Sequence, residues 1–174
     1  MKKNYKIALQ SALLALALII GIVESKTPPI LPIIPYAKIG FGNIVILLSL
    51  LLTSPAVGVI IVIAKSLMIG VFSGNIMSIM YSMPAGLISY LTMALLIKTK
   101  IFSLPMISAI AGVLHNLVQI IVASIVLKSI SIYYYFAYLG IFGLLAGYVV
   151  GIICFYVLKM LPVKILFSEE LNKS

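Results

Sequence analysis

Long apolar runs broken by short polar punctuation occupy nearly the whole chain. A helix that crosses a bilayer needs about 20 mostly apolar residues. The pattern predicts six such spans, at roughly 5–23, 38–53, 55–73, 76–97, 103–127 and 132–160. The second is the shortest. The third opens on Pro55 after Thr53-Ser54, a capping residue followed by proline in the first turn. The connections leave no room for a soluble domain, so residues 1–174 read as a single integral membrane domain. The expected fold is an all-α, polytopic bundle of six transmembrane helices.

One connection is unlike the others. Residues 24–37, ESKTPPILPIIPYA, contain Pro28, Pro29, Pro32 and Pro35. Proline donates no backbone hydrogen bond and disfavours helix at the residue before it, so this segment is expected to be extended or irregular. Its Ile and Leu side chains make it too apolar for an ordinary solvated loop, and the expectation is that it folds back over one mouth of the bundle.

Composition narrows the chemistry. Of 174 residues 64% are hydrophobic and 9% charged, against about 25% charged in soluble proteins, which excludes a soluble enzyme domain. All 12 basic residues are Lys, Asp is absent, and the three acids are Glu24, Glu169 and Glu170. Aspartate-rich metal sites, Asp-containing triads and Walker B motifs are thereby excluded. One Cys (Cys154) and one His (His115) cannot complete a zinc site within the chain, and no cofactor is expected. There is no G-x-x-x-x-G-K-[ST], G-x-S-x-G or H-E-x-x-H pattern. Independent catalysis is therefore not expected, although an enzyme with an unfamiliar site is an open alternative.

Lysine placement predicts the topology. With six spans, Lys2, Lys3, Lys6, Lys98, Lys100, Lys159, Lys164 and Lys173 fall on one side, and Lys26 and Lys128 on the other. Cytoplasmic loops carry the lysine excess, so a cell-membrane protein with both termini in the cytoplasm is expected. Tyr133, Tyr134, Tyr135 and Tyr138 then lie at the outer interface, where amphipathic rings are common. The net charge of +9 reads as orientation and attraction to anionic lipid, with no nucleic-acid partner. The KKNYK start and the apolar run after it resemble a signal peptide, but no small-x-small site follows, and the run reads as a retained first span.

The remaining polar residues stand out against this background. A central Lys in a membrane span costs about 2.5–3.5 kcal/mol on insertion scales, and Lys65 lies mid-way along the third span. In the fifth span Ser108, Gly112, His115 and Gln119 follow i, i+4, i+7, i+11 on one helix face, with Asn116 beside it. The fourth span carries a face of Ser78, Ser82, Ala85/Gly86, Ser89 and Met93. Glu24, Lys38 and Asn43 lie near the outer mouth. Convergence of Glu24, Lys38, Asn43, Lys65, Ser82, Ser89, His115, Asn116 and Gln119 would make a pocket for a small organic ligand with an anionic or strongly polar part. The competing reading is that the small residues and serines serve helix packing and that Asn, Gln and His are interhelical links. A structural pairing of Glu24 with a Lys belongs to that second reading.

Two small-residue stripes read first as packing surfaces. Ala8, Ala12 and Ala15, with Ser11, give the first span a flat face. Gly140, Gly143, Gly147 and Gly151 do the same on the last. Internal packing is the default for both, and docking of another membrane subunit is the alternative for the first.

The blocks GIVESKTPP…LPIIPYAKIGFGNIV, SMPAGLISYLTM and ISAIAGVLHNLVQIIVA resemble the Gx transporter family, widely labelled heptaprenyl diphosphate synthase component I. The resemblance runs from about residue 8 to 150. It rests most on Pro35, Lys38, Gly40 and Asn43, and on Ser108, Gly112, His115, Asn116 and Gln119. Tyr36 stands where the family usually has glycine, and Pro84 falls in a block that usually lacks proline. The family is similar to the S components of energy-coupling factor transporters, six-helix membrane proteins that bind a vitamin-like ligand from outside. That similarity implies a separate transmembrane coupling protein and ATPases as partners, with Ala8, Ala12 and Ala15 on the docking face. Three functions follow as expectations. The first is a substrate-binding component for uptake of a small ligand, energised by other subunits. The second is a non-catalytic accessory subunit of polyprenyl diphosphate or quinone metabolism, including membrane electron transfer. The third is a purely structural membrane subunit.

Overall fold

The computed structural model describes residues 3–26, 40–74 and 76–161. Among these residues the chain forms α1 (Lys3–Lys26), α2 (Asn43–Leu52), α3 (Pro55–Phe72), α4 (Ile76–Thr99), α5 (Leu104–Val126), a 3-10 turn (Ile130–Tyr135) and α6 (Phe136–Met160). Five of these segments are long and apolar enough to cross a membrane. Their outward faces carry Ile60, Val71, Phe72, Leu95, Ile125, Ile141 and Leu145, all exposed. A continuous apolar exterior of this kind is a liability in water and the appropriate surface in lipid.

The helices start where local chemistry permits. Pro55 and Pro105 lie in the first turns of α3 and α5 after extended Ser54 and Ser103. There a missing N–H costs nothing, because first-turn donors have no helical acceptor. Neither serine makes a side-chain cap bond. Pro84 lies inside α4, where it deprives the Met80 carbonyl of its usual i+4 donor. Lys100 and Lys128 take left-handed conformations (φ 56° and 48°) after the ends of α4 and α5, the geometry that usually stops a helix at glycine.

Side-chain contacts fix the helix directions. Gly21 of α1 lies against Ile69 and Lys65 of α3, so the C-terminal halves of these helices run together. The Tyr90 hydroxyl of α4 donates to the Pro55 carbonyl at the start of α3 (2.8 Å), so α3 and α4 are antiparallel. The α5–α6 seam is closest. A Cβ on Gly143 would lie 2.6 Å from the Gly112 carbonyl oxygen, one on Gly147 would lie 2.9 Å from the Ala109 Cα, and one on Gly151 would lie 2.9 Å from the Leu104 carbonyl oxygen. Small residues let membrane helices approach to backbone contact, where dispersion supplies the attraction. Gly143, Gly147 and Gly151 thus pack internally as expected, whereas Gly140 meets only the Phe136 ring at 3.6 Å. With these directions Lys6, Lys98, Lys100 and Lys159 lie at one end of the bundle and Lys26 and Lys128 at the other.

Three boundaries differ from the sequence reading. Of the second span, 38–53, the described residues form a ten-residue helix, α2. At 1.5 Å per residue that is about 15 Å, half the ~30 Å of a bilayer core. Seven of its ten residues are buried, and it packs on α1, α3, α4 and α6. It is a central helix, and its unbroken apolar run reflects burial in protein. The last span, 132–160, does not begin as α-helix. Its first residues belong to the 3-10 turn, which places Ile132 in a buried cluster with Tyr81, Ile120, Ala123 and Leu139. The first span continues past residue 23 to Lys26, so Glu24 is helical. Most of the proline segment and Lys38 lie outside the described residues.

Candidate ligand cavity

The cavity starts from α1. Leu13, Ala17, Gly21 and Glu24 form its buried stripe, spaced four, four and three residues apart, the repeat of one helix face. That stripe carries the Glu24 carboxylate inward, where the residue is only 7% exposed. Its Oε1 accepts the backbone N–H groups of Gly40 and of Phe41, the latter at 3.1 Å. Gly40 has φ +90°, a backbone state that favours glycine. Its carbonyl accepts the Asn43 N–H at 2.9 Å and so starts α2. The Gly40 and Phe41 donors precede the N-cap Gly42 and so lie outside the helical ladder, and the positive end of the α2 dipole is beside them, which makes this a suitable seat for a carboxylate.

Lys65 approaches from α3. Its stem passes Gly21, where an added Cβ would lie 3.5 Å from Lys65 Cε, and its end reaches Gly42. A Cβ on Gly42 would be 2.8 Å from that same Cε and 3.8 Å from Glu24 Oε2. The ammonium and the carboxylate therefore flank one glycine. From α5, His115 and Gln119 stand one turn apart with their Nε2 atoms 3.1 Å from each other. With the Gln119 amide as donor, the His115 Nε2 accepts, and a neutral ring carries its proton on Nδ1. Gly40 closes the group, since a Cβ there would lie 3.0 Å from Asn43 Nδ2 and 3.6 Å from His115 Cδ2.

These residues enclose a cavity lined by Gly21, Glu24, Gly40, Ile46, Val62, Lys65, Ser66, Ile69, Ser82, Gly86, His115 and Gln119. Its volume is about 20 Å³, room for about one water molecule and far below the 300–1,000 Å³ of pockets that hold drug-sized ligands. Every contributing helix reaches it from the half of the bundle that ends in Lys26 and Lys128. The buried Ser82 Oγ has no hydrogen-bond partner among the described residues.

Of the residues expected at the site, Glu24, Lys65, Ser82, His115 and Gln119 line the cavity. Asn43 borders it through Gly40, and its buried Oδ1 makes no hydrogen bond among the described residues. Asn116 turns away. It is 0% exposed and donates from Nδ2 to the Leu139 carbonyl of α6 at 2.6 Å, an interhelical link. Ser89 is buried one turn beyond Gly86 and does not line the cavity. Ala8, Ala12 and Ala15 are exposed, so the default of internal packing does not hold for that stripe. Lys38 lies outside the described residues. The sequence reading missed the main-chain donors of Gly40 and Phe41, together with Gly21 and Ser66, and it placed Gly86 on the small, polar face of the fourth span without assigning it to the site. The signals available were the Gly40-Phe41-Gly42 triplet and the three-residue spacing of Gly21 and Glu24.

Among the described residues no three His, Cys, Asp or Glu side chains come together as a metal site. A second concavity, of about 430 Å³, lies on the outer α5–α6 surface between Met106, Ala109, Ile110, Val113, Leu114, Leu144 and Tyr148.

Fold and cavity together define a polytopic α-helical membrane protein with a small polar cavity between its helices. The family model described as heptaprenyl diphosphate synthase component I matches residues 13–157, and the chain belongs to that family. No curated protein and no solved structure matches it.

Proposed function

We propose that this chain is the substrate-binding component of a membrane uptake system, taking up a small organic ligand and energised by separate subunits. One observation carries this reading: α1, α3, α4 and α5 bring Glu24, Lys65, Ser82, His115 and Gln119 to one cavity. Ionisable and polar groups at membrane depth are costly and usually mark function. On this reading the bundle lies in the cell membrane with both termini cytoplasmic, and α2, too short to span alone, crosses only part of the bilayer inside it. The cavity opens outward, and its water-sized volume is that of a closed state. The protein is not an enzyme. A coupling protein with ATPases docks on the exposed Ala8, Ala12 and Ala15 face. The test is uptake by cells carrying Lys65→Ala/His115→Ala: the reading expects a loss of uptake with the protein still in the membrane, and normal uptake contradicts it.

The family's name favours a second reading, a non-catalytic membrane subunit that partners an enzyme of prenyl diphosphate or quinone metabolism. The apolar α5–α6 concavity suits a polyprenyl chain. Purification of the chain with its bound partners separates the two readings. A coupling protein with ATPases supports uptake, and a prenyltransferase or quinone oxidoreductase supports the accessory role.

A further inference from the structure

We propose that the Glu24 carboxylate is a built-in stand-in for the carboxylate of the ligand, occupying the subsite that the ligand's own anionic group takes when it binds. This deepens the uptake reading and rests on it, by naming the ligand as a small carboxylic acid in its anionic form.

Three features of the cavity lead there. First, Glu24 Oε1 is held by main-chain donors, the N–H groups of Gly40 and Phe41, at the start of a ten-residue helix. Successive backbone N–H groups around a glycine of positive φ make a general anion receptor, indifferent to which carboxylate fills it. Second, the Lys65 ammonium stands at Gly42, next to that receptor, so the subsite has its counter-charge whether Glu24 or a ligand occupies it. A cationic ligand would instead meet Lys65 as a like charge, which disfavours both ionised forms. Third, the cavity continues from the carboxylate to His115, Gln119 and Ser82, and the Ser82 hydroxyl has its hydrogen-bonding capacity unused among the described residues. These groups are placed for the uncharged remainder of the ligand.

In this closed state volume favours the exchange. With about 20 Å³ available, a ligand has no room beside Glu24. Withdrawal of the Glu24 side chain frees its volume and the two N–H donors together. Glu24 lies in the last turn of α1, so the exchange asks movement of a helix end and not of the bundle. One anion leaves as another arrives, and Lys65 stays compensated throughout.

The experiment uses the full chain in detergent, with acetate as probe and thermal unfolding as readout, in potassium acetate against potassium chloride at equal ionic strength. Acetate should raise the melting temperature of the wild type saturably. Glu24→Gln, which keeps an acceptor oxygen and removes the competing charge, should reach the same rise at an acetate concentration lower by about tenfold, equivalent to about 1.4 kcal/mol. Lys65→Met should abolish the response, and ethylammonium chloride should give none. A Glu24→Gln variant that needs as much acetate as the wild type, or more, overturns the proposal, as does stabilisation by ethylammonium. Should Glu24→Gln fail to fold, the wild-type titration decides alone, and absence of a saturable acetate response overturns the proposal. Mass spectrometry of the same preparation keeps the two ideas apart. A retained neutral or cationic ligand with no acetate response removes the carboxylate assignment and leaves the uptake reading intact. An acetate response in a protein with no uptake phenotype does the reverse.

Discussion

Glu24 of α1 accepts the backbone N–H of Phe41 at 3.1 Å, across 17 residues of sequence, and so ties the end of the first helix to the beginning of the second. That bond and its neighbour from Gly40 place a negative charge against Lys65 in a membrane-spanning bundle. The remaining polar residues of the cavity assemble around this pair of helix ends.

Asn116 should prove structural. Asn116→Leu removes the side-chain donor to the Leu139 carbonyl, which keeps its helical donor within α6. The expected cost is that of one hydrogen bond, about 0.5–1.5 kcal/mol of stability, read as a lower melting temperature in detergent. Ligand retention per folded molecule should be unchanged, because this side chain faces α6. Loss of retention at full stability would place Asn116 back at the site.

Glycines on α6 should respond with opposite signs. Gly143→Ala drives a methyl group into the Gly112 carbonyl and the Asn116 amide, at 2.6 and 2.7 Å. Overpacking of this kind costs typically about 1–3 kcal/mol. Gly140→Ala meets only the Phe136 ring at 3.6 Å and should gain the helical preference of alanine, about 0.5–1 kcal/mol. Thermal unfolding of the two variants, one beside the other, checks both signs.

Lys128→Gly should stabilise the chain. Lys128 has φ 48°, and the left-handed state costs an L-residue roughly 1–2 kcal/mol. Glycine removes that cost at the end of α5, and the melting temperature should rise. The Tyr90→Phe variant should lower it, by about 0.5–1.5 kcal/mol, through loss of the hydroxyl donor to Pro55.

Ala12→Leu tests the outer face of α1. Ala12 is exposed, and surface substitutions of this kind usually change stability by less than about 0.5 kcal/mol. The variant should fold normally and lose co-purifying subunits if that face docks a partner. Normal co-purification would assign docking to another surface.

Much of this architecture is legible in the sequence because a bilayer imposes a simple code. Pro55 after Thr53-Ser54 announces its helix, and apolar run length marks five of the spans. Glu24, Lys65, His115 and Gln119 stand out because charge and amide groups are scarce in such runs. What escapes the code is set by partners distant in sequence. The central position of α2 shows in its packing, since an apolar run reads the same in lipid and in a protein core. Asn116 and Gln119 differ by three residues, yet one bonds α6 and the other lines the cavity, and only the α5–α6 approach decides which. The donors that hold Glu24 are main-chain groups of Gly40 and Phe41, which no side-chain pattern reveals. The exposure of Ala8, Ala12 and Ala15 likewise follows from where the neighbouring helices leave α1 uncovered.

The most direct test of the central claim is native mass spectrometry of the mildly purified full chain beside its Lys65→Ala/His115→Ala variant. The account predicts that the wild type carries a small organic ligand, stoichiometrically bound, which the double variant loses while remaining folded. A wild type that retains only ordinary phospholipids, or a double variant that retains the same small ligand, would contradict it.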